Sequence, residues 1–299
     1  MRFLRFLQEG IEYTGVVRKG SNQVVLLEKI CPRFKGKSLT EFIQTYTPEE
    51  MKMIHEVLAD GETKYSSNAP TLEEIKLTAP ISRPLHDVLC VGQNYWDHIE
   101  EVHRYLGEEP PQRDASVYFT KRASRILGSD EPLVGRFDLD ENIDYEVELA
   151  VIIGKEGKDI PKDEVDTYIF GYSILNDFSS RIIQRKHTQW FKGKSVDGYT
   201  AMGPWVVTKD EFLHPLAIDL SCRVNGEVRQ QSNTKAMMAD IPTLIHELSQ
   251  GMTLEAGDII ATGTPSGVGM GMVPPTFLKR GDVVECEIEE IGILRNMIV

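Results

Sequence analysis

The sequence predicts an α+β fold, mostly β, in which curved mixed sheets form a barrel-like roll behind a small N-terminal α/β domain. Three observations point there. Beyond about residue 80, short runs of β-branched and apolar residues recur with few helical intervals between them. Pro70, Pro80 and Pro84 crowd a Ser- and Asn-rich stretch over 66–84, which marks a boundary and divides the chain into 1–79 and 80–299. With 299 residues, 41% hydrophobic and 26% charged, the chain has apolar material for two unequal units.

From the N-terminus, apolar runs alternate with Gln8-Glu9-Gly10 and Lys19-Gly20-Ser21-Asn22, which reads as a small β meander. Thr47-Pro48-Glu49-Glu50 has capping-box spacing with Pro at the first helical position. Met51, Ile54 and Leu58 continue with helical period, and Gly61 is the expected stop. Strands are then predicted over 87–91, 145–153, 169–175, 205–207, 218–224, 258–262 and 283–288. One helix is expected over 241–250, opened by Asp240-Ile241-Pro242 and closed before Gly251.

A formal net charge of -13 leaves no broad basic surface, so nucleic acid is not an expected partner. Cys31, Cys90, Cys222 and Cys286 form no CxxC pair. That argues against a zinc ribbon or disulfide scaffold and suits a reducing, cytoplasmic location. Arg2 and Arg5 interrupt the first apolar residues and no later run approaches bilayer length, so neither a membrane nor secretion is expected.

Successive strand residues face opposite ways, so Glu146 and Glu148 in Asp144-Tyr145-Glu146-Val147-Glu148 share a face, about 7 Å apart. Glu285, Glu287 and Glu289 alternate in the same manner against Val284, Cys286 and Ile288, where a solvated face is the simpler reading. The first pair differs because its face continues into Ala150 and Ile152 while the opposite face carries Val147, Leu149, Val151 and Ile153, which predicts a strand buried on both sides at its far end. Carboxylates at the mouth of such a strand must be neutralised, protonated or bound to a cation. Asp177 closes the apolar run Ile169 to Asn176 and offers a third oxygen donor, although it equally suits a helix cap. Three carboxylates would make a hard, all-oxygen site, which selects Mg²⁺, Mn²⁺ or Ca²⁺ over Zn²⁺ or copper.

Four separated motifs, in this order, carry a resemblance. They are Val91-Gly92-Gln93-Asn94-Tyr95-Trp96-Asp97-His98 with Glu101, Asp144 to Glu148, Gly171 to Asp177, and Thr262-Gly263-Thr264-Pro265-Ser266-Gly267-Val268-Gly269. Together they resemble the fumarylacetoacetate hydrolase family from about Ala79 to the C-terminus, with residues 1–79 similar to the variable leader domain of bacterial members. The resemblance implies that Glu146, Glu148 and Asp177 hold Mg²⁺ or Mn²⁺. It implies a catalytic dyad in His98 and Glu101, which three-residue spacing places on one face of a short helix. Without it, His98 reads as part of a surface helix.

Lys194 in Lys192-Gly193-Lys194-Ser195 matches the family lysine expected to face substrate and stabilise developing negative charge; otherwise it is one more solvated lysine. Arg181 and Gln184 follow Asp177 by four and seven residues, on its side of any helix beginning there, and are expected to grip a substrate carboxylate. Thr264 and the backbone amides of its glycine-rich segment are candidate carboxylate binders, with a structural turn as the plain alternative. The segment lacks the GxxxxGK pattern of a phosphate-binding loop. Arg104, Gly107 and Pro110-Pro111 suggest a lid that carries the dyad. Ile182, Thr200-Ala201-Met202 and Ala239 depart from the usual family pattern around the pocket.

The expected function is divalent-metal-dependent hydrolysis of a C–C bond in acylpyruvate-type 2-oxo acids. The metal would chelate the 2-oxo acid end and His98 with Glu101 would activate water. Oxaloacetate decarboxylation, or isomerisation of 2-hydroxyhepta-2,4-diene-1,7-dioate or hydroxymuconate, would use the same site. A non-catalytic 2-oxo acid sensor is the rival of another class, and it would have no need of His98. A homodimer is expected from the resemblance and from the strand edges that a β-rich chain must cover.

Overall fold

The computed structural model describes residues 1–59, 65, 69–110 and 115–299. Gly61, the start of the Ser-rich boundary at 66–68, and Pro111 of the expected lid lie outside the described residues.

Strands β1 (Arg2–Gln8) and β2 (Ile11–Val17) form a hairpin whose turn residues Glu9 and Gly10 take left-handed φ values of 53° and 79°. After β3 (Val25–Leu26) come α1 (Leu27–Ile30), α2 (Leu39–Thr45) and α3 (Pro48–Ala59). Thr47 and Glu50 cap α3 reciprocally, and Ile54 and Leu58 turn inward, as the spacing predicts.

The chain continues through β4 (Lys76–Thr78), β5 (Val88–Gly92), α4 (Trp96–Leu106) and β6 (Val117–Lys121). The central stretch holds β7 (Ile143–Asp144), β8 (Val147–Ile153), β9 (Ile169–Asp177) and β10 (Ser179–Ser180). Next are α5 (Arg181–Lys186), α6 (Phe191–Lys194) and β11 (Thr200–Thr208). The last part holds β12 (Asp219–Val224), β13 (Glu227–Asn233), α7 (Ile241–Ser249), β14 (Ile259–Ala261), β15 (Val283–Ile288) and β16 (Gly292–Met297).

Ten strands make one mixed sheet in the order β3-β2-β1-β11-β9-β8-β14-β5-β6, with β4 also on β1. Only the β14–β5 pairing in it is parallel among the described residues. A four-stranded sheet, β13-β12-β15-β16, lies beside it. Register shifts at Gly203/Val207 and Cys222/Arg223 mark bulges that bend both sheets. The fold is α+β and mostly strand, and its sheets do not close, so the roll stays open instead of forming a barrel.

Every residue of β8 and β9 is buried, as the two-sided apolar pattern requires. Val147, Leu149 and Val151 face one core cluster, while Ala150 and Ile152 face another built around Phe3, Phe42 and Phe170. That second cluster crosses the expected boundary at residue 80. So does the large sheet, because β1 pairs with β11 through Arg2↔Val207 and Phe3↔Val206. On β15 the expectation of a solvated face holds: Val284, Cys286 and Ile288 are buried, and Glu287 meets Arg223 at 2.7 Å. No described helix is long and apolar enough to cross a membrane.

Candidate active site

The register of β8 on β9 assembles the carboxylates. Val147 lies opposite Asn176 and Glu148 opposite Leu175, which puts Glu146 level with Asp177 at the end of both strands. Asn176 Oδ1 accepts from the Glu146 amide at 3.0 Å, and the Asp177 amide donates to Glu146 O at 2.9 Å. Ligand oxygens of Glu146, Glu148 and Asp177 then lie within 4.8 Å of one another, all buried.

Two lysines and an arginine are drawn into this cluster. Lys194 Nζ donates to Glu146 Oε2 and to Asp177 Oδ2, both at 2.8 Å. Its helix α6 lies so close to α5 that a Cβ on Gly193 would meet Gln184 Cα at 2.5 Å, so only glycine permits the approach. Lys121, fully buried at the end of β6, donates to Asp177 Oδ1 and to Phe178 O. Arg181 Nε donates to Asp144 Oδ2 at 2.8 Å, Nη1 to Gln184 Oε1 at 3.0 Å, and Nη2 stands 2.8 Å from Glu146 Oε1.

Burial works against the charge on Glu146, but Lys194 and Arg181 outweigh it and hold the carboxyl well below its ordinary range. Glu148 is the opposite case. Burial, reinforced by Asp177 and Glu146, pushes it far up, with Lys194 and the Gly263 amide, donating at 2.8 Å, as lesser counterweights. Burial lowers Lys121, whereas Asp177 and Glu146 keep Lys194 raised against the same penalty. A divalent cation suits this donor set: the oxygens are hard, convergent and shielded, and among the described residues Glu148 makes no ion pair.

Helix α4 brings His98 to the cavity that Glu146 and Glu148 line, with Glu101 beside it and both only 6% exposed, which replaces the surface-helix alternative. His98 Nδ1 meets Glu101 Oε2 at 3.3 Å, leaving Nε2 as the nitrogen for a substrate. Glu101 Oε1 accepts from the Gly267 amide at 2.9 Å, and Asp97 Oδ2 accepts from Ser266 Oγ at 2.6 Å, so the helix is tied to the glycine-rich segment. The cavity, about 250 Å³, is lined by Glu146, Glu148, His98, Lys194, Arg181, Gln184 and Thr264, with Phe119, Trp190 and Met270 among its apolar walls.

Three expectations need correction in detail. No helix begins at Asp177; β9 runs through it and α5 starts at Arg181, so the helical-face argument for Arg181 and Gln184 does not apply. Arg181 is turned onto Asp144, Glu146 and Gln184 because its buried charge needs acids, which makes it a holder of protein carboxylates. Thr264 Oγ1 donates to Val147 O at 2.9 Å and accepts from Gln230 Nε2 at 2.8 Å, so the hydroxyl has no donor left for a substrate carboxylate. The loop amides do hold carboxylates, but the protein's own. Gly263 serves Glu148, Gly267 serves Glu101, and Gly269 and Met270 serve Asp144 at 2.7 and 3.0 Å.

The family profile described as fumarylacetoacetate (FAA) hydrolase C-terminal matches residues 87–299. The chain belongs to the fumarylacetoacetate hydrolase family. Within the family it is 44% identical to the oxaloacetate tautomerase YisK of Bacillus subtilis over 228 residues, 76% of this chain and 74% of that protein. The solved fumarylacetoacetate hydrolase of Exiguobacterium antarcticum is 40% identical and superposes with a TM-score of 0.80, covering 100% of this chain and 99% of the other. A maleylpyruvate hydrolase from Sphingobium sp. SYK-6, solved with manganese(II) and pyruvate, is 26% identical with a TM-score of 0.76 over 100% of this chain and 99% of its own.

Sequence reasoning gave no role to Lys121 or Gln230, nor to Asp144 and Gln93, which stand in the quoted motifs. Gln230 binds the Val147 amide, Thr264 and Pro265 O from β13. Gln93 lines the cavity with a left-handed φ of 55° and a buried Oε1 that has no partner among the described residues. The glycine before Gln93 was its one sequence signal; a lysine ending a strand, as at Lys121, ordinarily reads as solvated.

Proposed function

We propose that the protein is a divalent-metal-dependent enzyme that moves a proton at the carbon next to the 2-oxo group of oxaloacetate-type acids. The observation that carries this reading is the buried His98–Glu101 pair, whose histidine lines the cavity that Glu146 and Glu148 of the three-carboxylate cluster also line. The name of the Bacillus subtilis relative supports the same chemistry. Mg²⁺ or Mn²⁺ held by Glu146, Glu148 and Asp177 would supply a Lewis acid for the 2-oxo and adjacent carboxylate oxygens. His98 Nε2 gives or takes the proton at the neighbouring carbon, and Glu101 orients the ring and supports its positive charge. Lys194 and Arg181 keep Glu146 ionised, and Lys194, facing the cavity, stabilises enolate charge. Val91, Val102, Phe119, Trp190 and Met270 limit water at the reacting carbon.

A second reading is hydrolysis of acylpyruvates, supported by the two solved relatives, a fumarylacetoacetate hydrolase and a maleylpyruvate hydrolase. There His98 takes a proton from water, which attacks the distal carbonyl, and the C–C bond breaks to give a carboxylic acid and the enol form of pyruvate. A cytoplasmic homodimer, with no nucleic acid or membrane partner, belongs to the same proposal.

Enol-oxaloacetate ketonisation and acetylpyruvate cleavage, assayed with Mg²⁺ and with Mn²⁺, test it. Wild-type protein is expected to accelerate ketonisation, and His98→Ala to lower kcat by roughly 10²-fold to 10⁴-fold with metal binding retained. Faster acetylpyruvate cleavage would favour the second reading, and an unimpaired His98→Ala would remove the dyad from both.

A further inference from the structure

The charged groups of the cavity are not all of one kind. Glu146 is paired with Lys194 and Arg181, Lys194 also meets Asp177 and Arg181 also meets Asp144, so each of these cations already meets two protein acids. Arg185 lines the same cavity and has no acidic partner among the described residues. Its Nη1 donates to Tyr105 Oη at 3.0 Å, and its guanidinium lies 5.5 Å from the centre of the Tyr105 ring. An exposed arginine is ordinarily just solvated. This one is held by a neutral phenol at the place where α5 faces α4, with further guanidinium donors left over.

Its distance from the carboxylate cluster is set by the helix. Arg185 follows Arg181 by one turn of α5, about 6 Å of axial rise, and Arg181 touches Glu146. A four-carbon chain whose 2-oxo acid end reaches the carboxylate cluster would bring its far end to that level. We propose that Arg185 is a specificity-determining residue that binds the distal carboxylate of a dicarboxylic 2-oxo acid. The inference rests on the proposed reading of this cavity as a 2-oxo acid site and narrows its substrate class to dicarboxylates. A planar guanidinium suits a carboxylate through paired hydrogen bonds, whereas the methyl ketone end of acetylpyruvate offers it one neutral acceptor.

The test compares wild type, Arg185→Met, Arg185→Lys and Tyr105→Phe. In Arg185→Met the ratio of kcat/KM for oxaloacetate over acetylpyruvate is expected to fall about 10-fold to 100-fold, mainly through the oxaloacetate KM. Arg185→Lys recovers part of the ratio, and Tyr105→Phe, which keeps the cation, changes it by less than about 3-fold. Binding is measured in parallel by calorimetry of the metal-loaded protein, using pyruvate and difluoro-oxaloacetate, which has no proton to move at the carbon next to the 2-oxo group. The same selective loss is expected for the dicarboxylate. Turnover of neither acid by wild type would refute the proposed reaction, while the binding ratio would still decide Arg185. Equal losses for both ligands in Arg185→Met, or an equal fall of the ratio in Tyr105→Phe, would overturn the inference and assign Arg185 to holding α4 against α5.

Discussion

At the scale of single residues, Glu148 shows how the site opposes stability. Its carboxyl is pushed far up by burial and by two neighbouring acids, so the folded chain holds that proton more tightly than the unfolded chain does. Ionised Glu148 therefore costs stability above the ordinary carboxylate pKa, and the cost fades as pH falls below it. Glu148→Gln is expected to raise the melting temperature of metal-free protein at pH 8, with the gap closing toward pH 4. It should also weaken Mg²⁺ and Mn²⁺ binding by more than about 100-fold. Calorimetry showing wild-type affinity would remove Glu148 from the ligand set. Glu146, Glu148 and Asp177 were legible because carboxylates at the ends of apolar strands lack a bland explanation. Arg181 and Thr264 were named for the cavity they do line, yet their partners depended on Asp144 and Gln230, which reach them from distant parts of the sequence.

At the scale of elements, β6 matters more than its pattern suggested. Among the described residues it pairs with β5 alone in the sheet, and it ends in Lys121, whose buried ammonium reaches Asp177 across the cluster. No local pattern announced this, because lysine at a strand end is the ordinary way to leave a sheet. Lys121→Met would leave Asp177 Oδ1 without its buried donor while Lys194 still holds Oδ2, and a loss of roughly 1–3 kcal/mol is expected in urea unfolding without metal. Saturating Mg²⁺ should recover part of that loss, since a cation there takes over neutralisation of Asp177. A loss below about 1 kcal/mol, unchanged by metal, would mean that Lys121 and Asp177 are energetically independent.

At the scale of the whole molecule, the proposed N-terminal unit was placed by a Pro- and Ser-rich stretch, a local signal that carries no information about long-range pairing. The strands on either side were legible, but the β1–β11 pairing that joins them was not, because it matches Arg2 with Val207 across the length of the chain. Phe3 stacks on Phe42 at 5.2 Å and also contacts Phe170, so the leader segment supplies core for β9, the strand that ends in Asp177. Removing residues 1–79 would bare one edge of β11 and the apolar face of Phe170, Ile152 and Met202. The fragment 80–299 is therefore expected to aggregate or to lack metal-induced stabilisation. Full-length protein should unfold in one transition seen alike by fluorescence and circular dichroism. Two separated transitions, or a soluble fragment 80–299 that still binds Mn²⁺, would show that the metal cluster is supported without the leader strands. The boundary near residue 80 would then be an energetic division as well as one of sequence.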